Sequence, residues 1–503
     1  MKKKRTRWIV AVAVAACVAL AVGMVAVWPH LKPDGEKPPV SAKTEHTSVS
    51  TMESGGGDTT ATKTEKPIES DKTTTTTVVK PTIPQAPLVK PLALASPAYP
   101  KMAARPADGY GDGYDEWKAD VRAQRAQAEG HTDGMTAYYA RTMAQFLAGE
   151  AGENRVYSPL NVYMALAMLA ETAEGNSRKQ ILDLLGVSDL TTLREKCSGL
   201  WNGVYLNDGA VTSVLANSLW LSDNDYWQYD MDTVNALAQH YYASTFEGVM
   251  GSEEYNKALQ DWINEQTDNL LKEQASGLKF DPTTVLALAS TICFKAKWEG
   301  GFYSENNQQG IFHTSLGKDV SCVYMSDWNM TTAYFGDNFT AVSLGLDDGA
   351  YEMIFFLPDK GVTVDSLITD RQVLNLMQGK TGSVDSKYLK VNMSIPKFDM
   401  VSDQDLIGGL KQLGVTDVFD AEKSDFGAIL TQQTEPVWIN KVQHAARVAI
   451  DEEGVTAAAY TVMIAPGSAM PKDEMDFVLD RPFMFAITGP GDTILFTGVV
   501  ENP

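Results

Sequence analysis

From about residue 115 onward the apolar positions fall into two regimes, helical spacing first and strand-like alternation later. A helix is expected from about Asp115, and another near Thr136 with Tyr139, Met143, Phe146 and Leu147 on one face. Ser158 is placed to cap a helix whose first residue is Pro159, and the residues after it are apolar on nearly every side, as in a buried helix. Ser177-Arg-Lys-Gln180 reads as a capping box opening a further helix that stops near Gly186. Leu259, Trp262, Ile263 and Leu270 mark an amphipathic helix, and Leu406 to Leu413 a short one. Strands are expected at 211–221, 285–294, 341–346, 351–357, 389–398, 442–450 and 477–487, with Gly489-Pro-Gly-Asp492 turning the last hairpin. The 285–294 run is nearly all apolar or small, which suits a central strand covered on both faces. Helices first and strands mostly later indicate one large α+β domain.

Between the strands at 442–450 and 477–487 lies Asp451 to Lys472, a stretch too long for an ordinary connection. Gly454 permits a turn there, and small or β-branched residues with few charges follow through Ile464. Such a segment suits exposure in one state and a strand in another. As a strand it would place Val455, Ala457, Ala459, Thr461 and Met463 on one face. An Ala-rich helix start or a surface loop fits the same composition.

The other end of the chain has a different character. Met1 to Arg7 is strongly basic and precedes an uncharged run from Trp8 to Trp28. As a helix rising about 1.5 Å per residue, that run would span about 30 Å, enough to cross a bilayer. The basic flank would stay inside and the rest of the chain outside. Ala21-Val-Gly23 also resembles a signal cleavage site, and Val14-Ala-Ala-Cys17 a lipoprotein box. All three readings export the protein. Residues 29–100 are rich in Thr, Pro, Lys and Gly and read as a disordered stalk. The expected organisation is therefore a signal or anchor at 1–28, a stalk at 29–100 and a folded domain at 101–503.

The formal net charge of −22 argues against a nucleic-acid-binding face. The four cysteines, at 17, 197, 293 and 322, lack zinc-ligand spacing, so buried thiols are expected, with a disulfide as the alternative, and no metal site. Gly379-Lys-Thr381 is not a phosphate loop, because the earlier glycine position holds Leu374. No nucleophile elbow or His-Glu-x-x-His occurs, and no cofactor motif. Nothing in the sequence supports an enzyme.

Several phrases share one resemblance. Glu452-Glu-Gly-Val-Thr-Ala-Ala-Ala459 resembles the hinge of a serpin, and Phe477-Val-Leu-Asp-Arg-Pro-Phe-Met-Phe-Ala-Ile487 the serpin signature beyond the reactive loop. The block from Asn154 with Ser158-Pro159, Phe294-Lys-Ala-Lys-Trp-Glu299, Ile395-Pro-Lys-Phe398 and the C-terminal Ile494 to Pro503 are similar to serpin segments too. The chain resembles a serpin of bacterial type with an N-terminal export or anchor segment. That resemblance implies helices packed around a large central sheet, further sheets and an exposed reactive loop.

It also implies a mechanism. Serpins are protease inhibitors whose loop is cleaved by the target and then inserts as a strand into the main sheet, carrying the covalently attached protease with it. The hinge would comprise Glu452, Glu453, Gly454, Val455, Thr456, Ala457, Ala458 and Ala459. Counting the family's usual loop length from Glu452 puts the scissile bond between Ser468 and Ala469, with Met470 ranked second and Gly467 or Ala469 as further alternatives. Small residues there suit an elastase-like or subtilisin-like serine protease. Asn154, Ser158, Asn161 and His444 correspond to a polar cluster that holds the sheet closed, hydrogen-bonded together, and Trp298 to the tryptophan at the top of the main sheet. Asn161 stands where serine is usual, and Ala445 replaces a common lysine. The implied protein is a monomer, secreted or tethered to the outer face of the membrane by its N-terminal segment alone. The alternative is a non-inhibitory serpin serving as a carrier or binding module.

Overall fold

The computed structural model describes residues 17–27, 91, 93–106, 111–128, 130–346, 350–432, 435–455 and 473–503. The long apolar runs become strands of a main sheet, labelled in chain order as β1 (Cys17–Val27), β2 (Ala93–Ala95), β3 (Thr212–Ser222), β4 (Ala243–Gly248), β5 (Thr284–Lys297), β6 (Phe398–Asp405), β7 (Val437–Ile450) and β8 (Gly454–Val455). Across the sheet the order is β6-β7-β1-β5-β3-β4-β2, with β8 paired to β5 off that path. Residues 284–294 of β5 are buried without a break, as their composition requires of a central strand.

A second sheet runs Glu474–Val478, Asp385–Pro396, Asp319–Phe335, Phe339–Leu346, Tyr351–Pro358, Phe483–Gly489, Thr493–Val500 and Arg155–Tyr157. One hydrophobic core lies between the sheets and the helices Met135–Phe146, Pro159–Thr172, Gly175–Leu185 and Leu190–Val204. Helix Pro159–Thr172 is buried at every residue but Ala165, so it can only be an interior helix. The helix Glu253–Gln266 covers a smaller cluster with Leu259, Trp262 and Ile263, packing on Trp220 of β3.

Several expectations need correction. Ser177 opens no capping box, because the helix starts at Gly175 and the Ser177 hydroxyl accepts from the Asp425 N–H at 3.2 Å. Gln180 accepts from the backbone N–H groups of Thr416 and Asp417. Leu270 lies past the end of its helix. The stretch 477–487 forms two strands, separated at Pro482, whose missing N–H cannot serve a ladder.

The folded body also begins before residue 101. Ala93–Ala95 pairs with β4, and the Tyr99 ring lies 5.0 Å from that of Trp201. Cys17–Val27 takes an extended path inside the main sheet and not the bilayer-length helix expected for that run. Among the described residues no helix is long and apolar enough to cross a membrane. Cys197 and Cys293 are buried free thiols and Cys322 is half-buried, and burial pushes the Cys293 thiol up to about 12.

Candidate functional site

The described part of the expected hinge, Glu452 to Val455, is a backbone turn built against the end of β5. After β7 ends at Ile450, the chain turns through Asp451 to Gly454, closed by Gly454 N–H donating to the Asp451 carbonyl at 3.3 Å. It then runs antiparallel beside β5, with Gly454 opposite Lys297 and Val455 opposite Ala296. Only glycine fits here. Gly454 has φ of +118°, and a Cβ added to it would sit 2.5 Å from the Trp298 nitrogen and 2.6 Å from the Lys297 Cα.

Side chains clamp this turn from both sides. The Trp298 indole donates to the Asp451 carbonyl at 2.8 Å, and the Phe302 N–H donates to the Glu452 carbonyl at 3.2 Å. The Glu452 carboxylate meets the Lys397 ammonium at 2.5 Å and also accepts from the Asn307 amide. Trp298, the residue directly after β5, therefore packs against the Asp451–Gly454 turn. Lys397 and Asn307 were not singled out, although Lys397 lies within the quoted Ile395-Pro-Lys-Phe398 phrase.

Charge at the hinge is divided. Burial, reinforced by the carboxylates of Glu452 and Glu453, raises the Asp451 carboxyl to about 6, against the pull of the Glu453 N–H and Lys397. For Glu452 burial acts in the same upward sense, but Lys397 and Asn307 outweigh it and hold the carboxyl below its ordinary value. A carboxyl raised in the folded state contributes most at low pH, and that contribution is lost as pH rises through about 6. Asp451→Asn is therefore expected to gain thermal stability relative to the parent as pH goes from about 4 to about 7.5. Glu452 is common to both proteins, and the one part of its contribution that the substitution changes, its repulsion by Asp451, is relieved at neutral pH and adds to the gain.

Farther down the sheet the expected polar cluster is divided as well. His444 on β7 accepts the Ser158 N–H at its Nε2, 3.2 Å away, which leaves the ring proton on Nδ1. The Ser158 hydroxyl donates to the Leu495 carbonyl at 2.6 Å and does not cap its own helix. Asn161 donates instead to the Ser290 hydroxyl of β5 at 2.8 Å. Asn154 accepts from the N–H groups of Glu501 and Asn502 and holds the C-terminus.

The four residues thus do not form one hydrogen-bonded group. The reason is geometric. β1 lies between β5 and β7, with Ala21 opposite Ser290 on one side and His444 on the other. Two strand spacings, about 10 Å, separate the two halves. Ser290→Ala would leave the fully buried Asn161 amide without that partner, and urea unfolding should show a loss of about 1–3 kcal/mol. Of the remaining sequence-predicted residues, Glu453 is exposed in the turn and Val455 is described by its backbone pairing. Thr456, Ala457, Ala458, Ala459, Ser468 and Ala469 lie outside the described residues.

A strand ending in a clamped turn is thus followed by a two-residue strand that starts back down the same sheet. The profile of the serpin family, described as serine protease inhibitor, matches residues 135–503. The chain is a serpin. It is 25% identical over 399 residues to plasminogen activator inhibitor 1 of Mus musculus, covering 75% of this chain and 93% of the relative. It is 28% identical to the leukocyte elastase inhibitor of Sus scrofa, over 70% of this chain and 93% of that one. Among solved structures, the thermophilic serpin tengpin in its native state superposes with a TM-score of 0.64 at 22% identity, covering 74% of this serpin and 95% of tengpin. Human thyroxine-binding globulin superposes with a TM-score of 0.61 at 19% identity, over 74% of this chain and 99% of that one. The serpin fold, with helices about mixed sheets, is thereby shared.

Proposed function

We propose that this serpin is a suicide-substrate inhibitor of serine proteases, trapping its target by inserting the cleaved loop into the main sheet. The observation that carries this reading is the hinge. Gly454 and Val455 already pair with β5, so the residues after them start in line with a strand. Their sequence, Thr-Ala-Ala-Ala, has no charge, proline or bulky side chain to stop its entry. The alternative, a non-inhibitory carrier or binding module, needs no such hinge; one structural relative is by name a thyroxine-binding globulin.

The scissile bond in this reading is Ser468–Ala469, with Met470 second, and the target is an elastase-like or subtilisin-like enzyme with a shallow specificity pocket. The similarity to a leukocyte elastase inhibitor supports that class. The protein acts as a monomer outside the cell, released or tethered through its N-terminal segment.

The test mixes the chain lacking residues 1–28 with subtilisin or elastase. A denaturing gel and mass spectrometry of the small fragment follow. A covalent adduct plus a peptide beginning at Ala469 is expected. Clean cleavage without adduct rejects the inhibitory reading in favour of the carrier one.

A further inference from the structure

β1 and the hinge lie in the same lane. β8 pairs with β5 at Lys297 and Ala296, and β1 pairs with the same strand from Phe294 downward in the same antiparallel sense. The gap between them on β5 is Lys295 alone. Extending the hinge register by count sets Thr456 opposite Lys295 and Ala457 opposite Phe294, the position that Cys17 holds. The other wall agrees, because Val18 faces Arg447 on β7, and the turn closed at Asp451 leads the loop back along that same strand. Up to the register shift after Met24, each β1 residue from Cys17 occupies the place of a loop residue from Ala457 to Ile464.

The two segments are chemically alike. Cys-Val-Ala-Leu-Ala-Val-Gly-Met and Ala-Ala-Ala-Tyr-Thr-Val-Met-Ile are both uncharged, small or apolar and rich in strand-compatible residues. A buried lane between two central strands selects for this composition, since each occupant must supply a full set of backbone hydrogen bonds and no charge. We propose that the lane between β5 and β7 is a binding site for the chain's own N-terminal apolar segment, which competes there with the reactive loop and blocks its insertion. While β1 is in place the loop can neither insert after cleavage nor slip in prematurely. Withdrawal of the segment, into a bilayer or by removal of the leader, frees the lane. The consequence for inhibition rests on the function proposed above, whereas the occupancy itself does not.

The test uses the full chain, folded without lipid or detergent, on its monomeric fraction. Hydrogen–deuterium exchange should show the amides of 17–27 protected at least about 100-fold over unstructured rates, as expected of a central strand. Leu20→Pro and, separately, Val22→Pro should abolish that protection, because proline cannot sit in a strand paired on both sides, while leaving the second sheet and the β5 amides that pair with β3 unchanged. Adduct formation with subtilisin or elastase should then be about tenfold or more faster in both variants and in the chain lacking 1–28 than in the full chain. Unprotected amides at 17–27 in the full chain overturn the proposal. So do protected amides with equal adduct rates in all four proteins. If even the chain lacking 1–28 forms no adduct, the inhibitory reading falls, and the exchange result alone decides whether the segment holds the lane.

Discussion

In the chain lacking residues 1–28, Ala457→Arg is expected to abolish adduct formation while leaving the loop as easily cut as before. The register from the hinge sets position 457 opposite Phe294, and residues directly opposite in a sheet share a face. Phe294 is fully buried and packs edge-on against Tyr351, 5.0 Å between ring centroids. A guanidinium entering beside it would lose its hydration with no partner, at a cost of several kcal/mol. Cleavage needs only exposure of the bond, so the variant should be turned over as a substrate. A denaturing gel separates the outcomes, and undiminished adduct would reject insertion through this lane.

The second large effect is expected from Gly454→Val. The left-handed φ alone costs a β-branched residue about 1–3 kcal/mol. The new Cβ must also displace the backbone of β5 at Lys297 and Trp298, which cannot yield as a side-chain tip would. The turn should open, the Trp298 indole should lose the Asp451 carbonyl, and its fluorescence should shift towards that of a wetter tryptophan. Gly361→Val is the control, since that glycine has a φ of +91° but open space around its Cβ position. It should carry backbone strain without any change at Trp298 or in adduct yield.

Much of this architecture was legible because its central strands are long and apolar. β5 came out within three residues of both observed ends, β7 at its C-terminal end and the buried helix at its start, Pro159. The strand Asp319–Phe335 did not, because Ser, Asp, Asn and Thr dilute its alternation and most of it is only half-buried. The turn after β7 was legible through Gly454, whose positive φ the sequence position foreshadows. Its clamp was not, for the Lys397 and Glu452 pair joins residues far apart in sequence, and nothing local in either announces the other. The polar cluster was expected as one group through the resemblance to serpins, and because buried polar groups need partners. What lies between them is β1, whose uniformly apolar sequence has neither a helical nor a strand period to read.

The strand Glu474–Val478 runs parallel to Asp385–Pro396 in the second sheet, whereas the hinge belongs to the main one. The two ends of the intervening segment are thus fastened to different sheets. A cut at Ser468–Ala469 would create a fragment, 469–503, that also contributes the paired strands Phe483–Gly489 and Thr493–Val500, with Phe483, Phe485 and Ile487 fully buried. Such a piece cannot diffuse away without dismantling the core. The cleaved protein should therefore travel as a single particle in gel filtration and native mass spectrometry, a nicked two-chain molecule that reveals its break only once it is denatured.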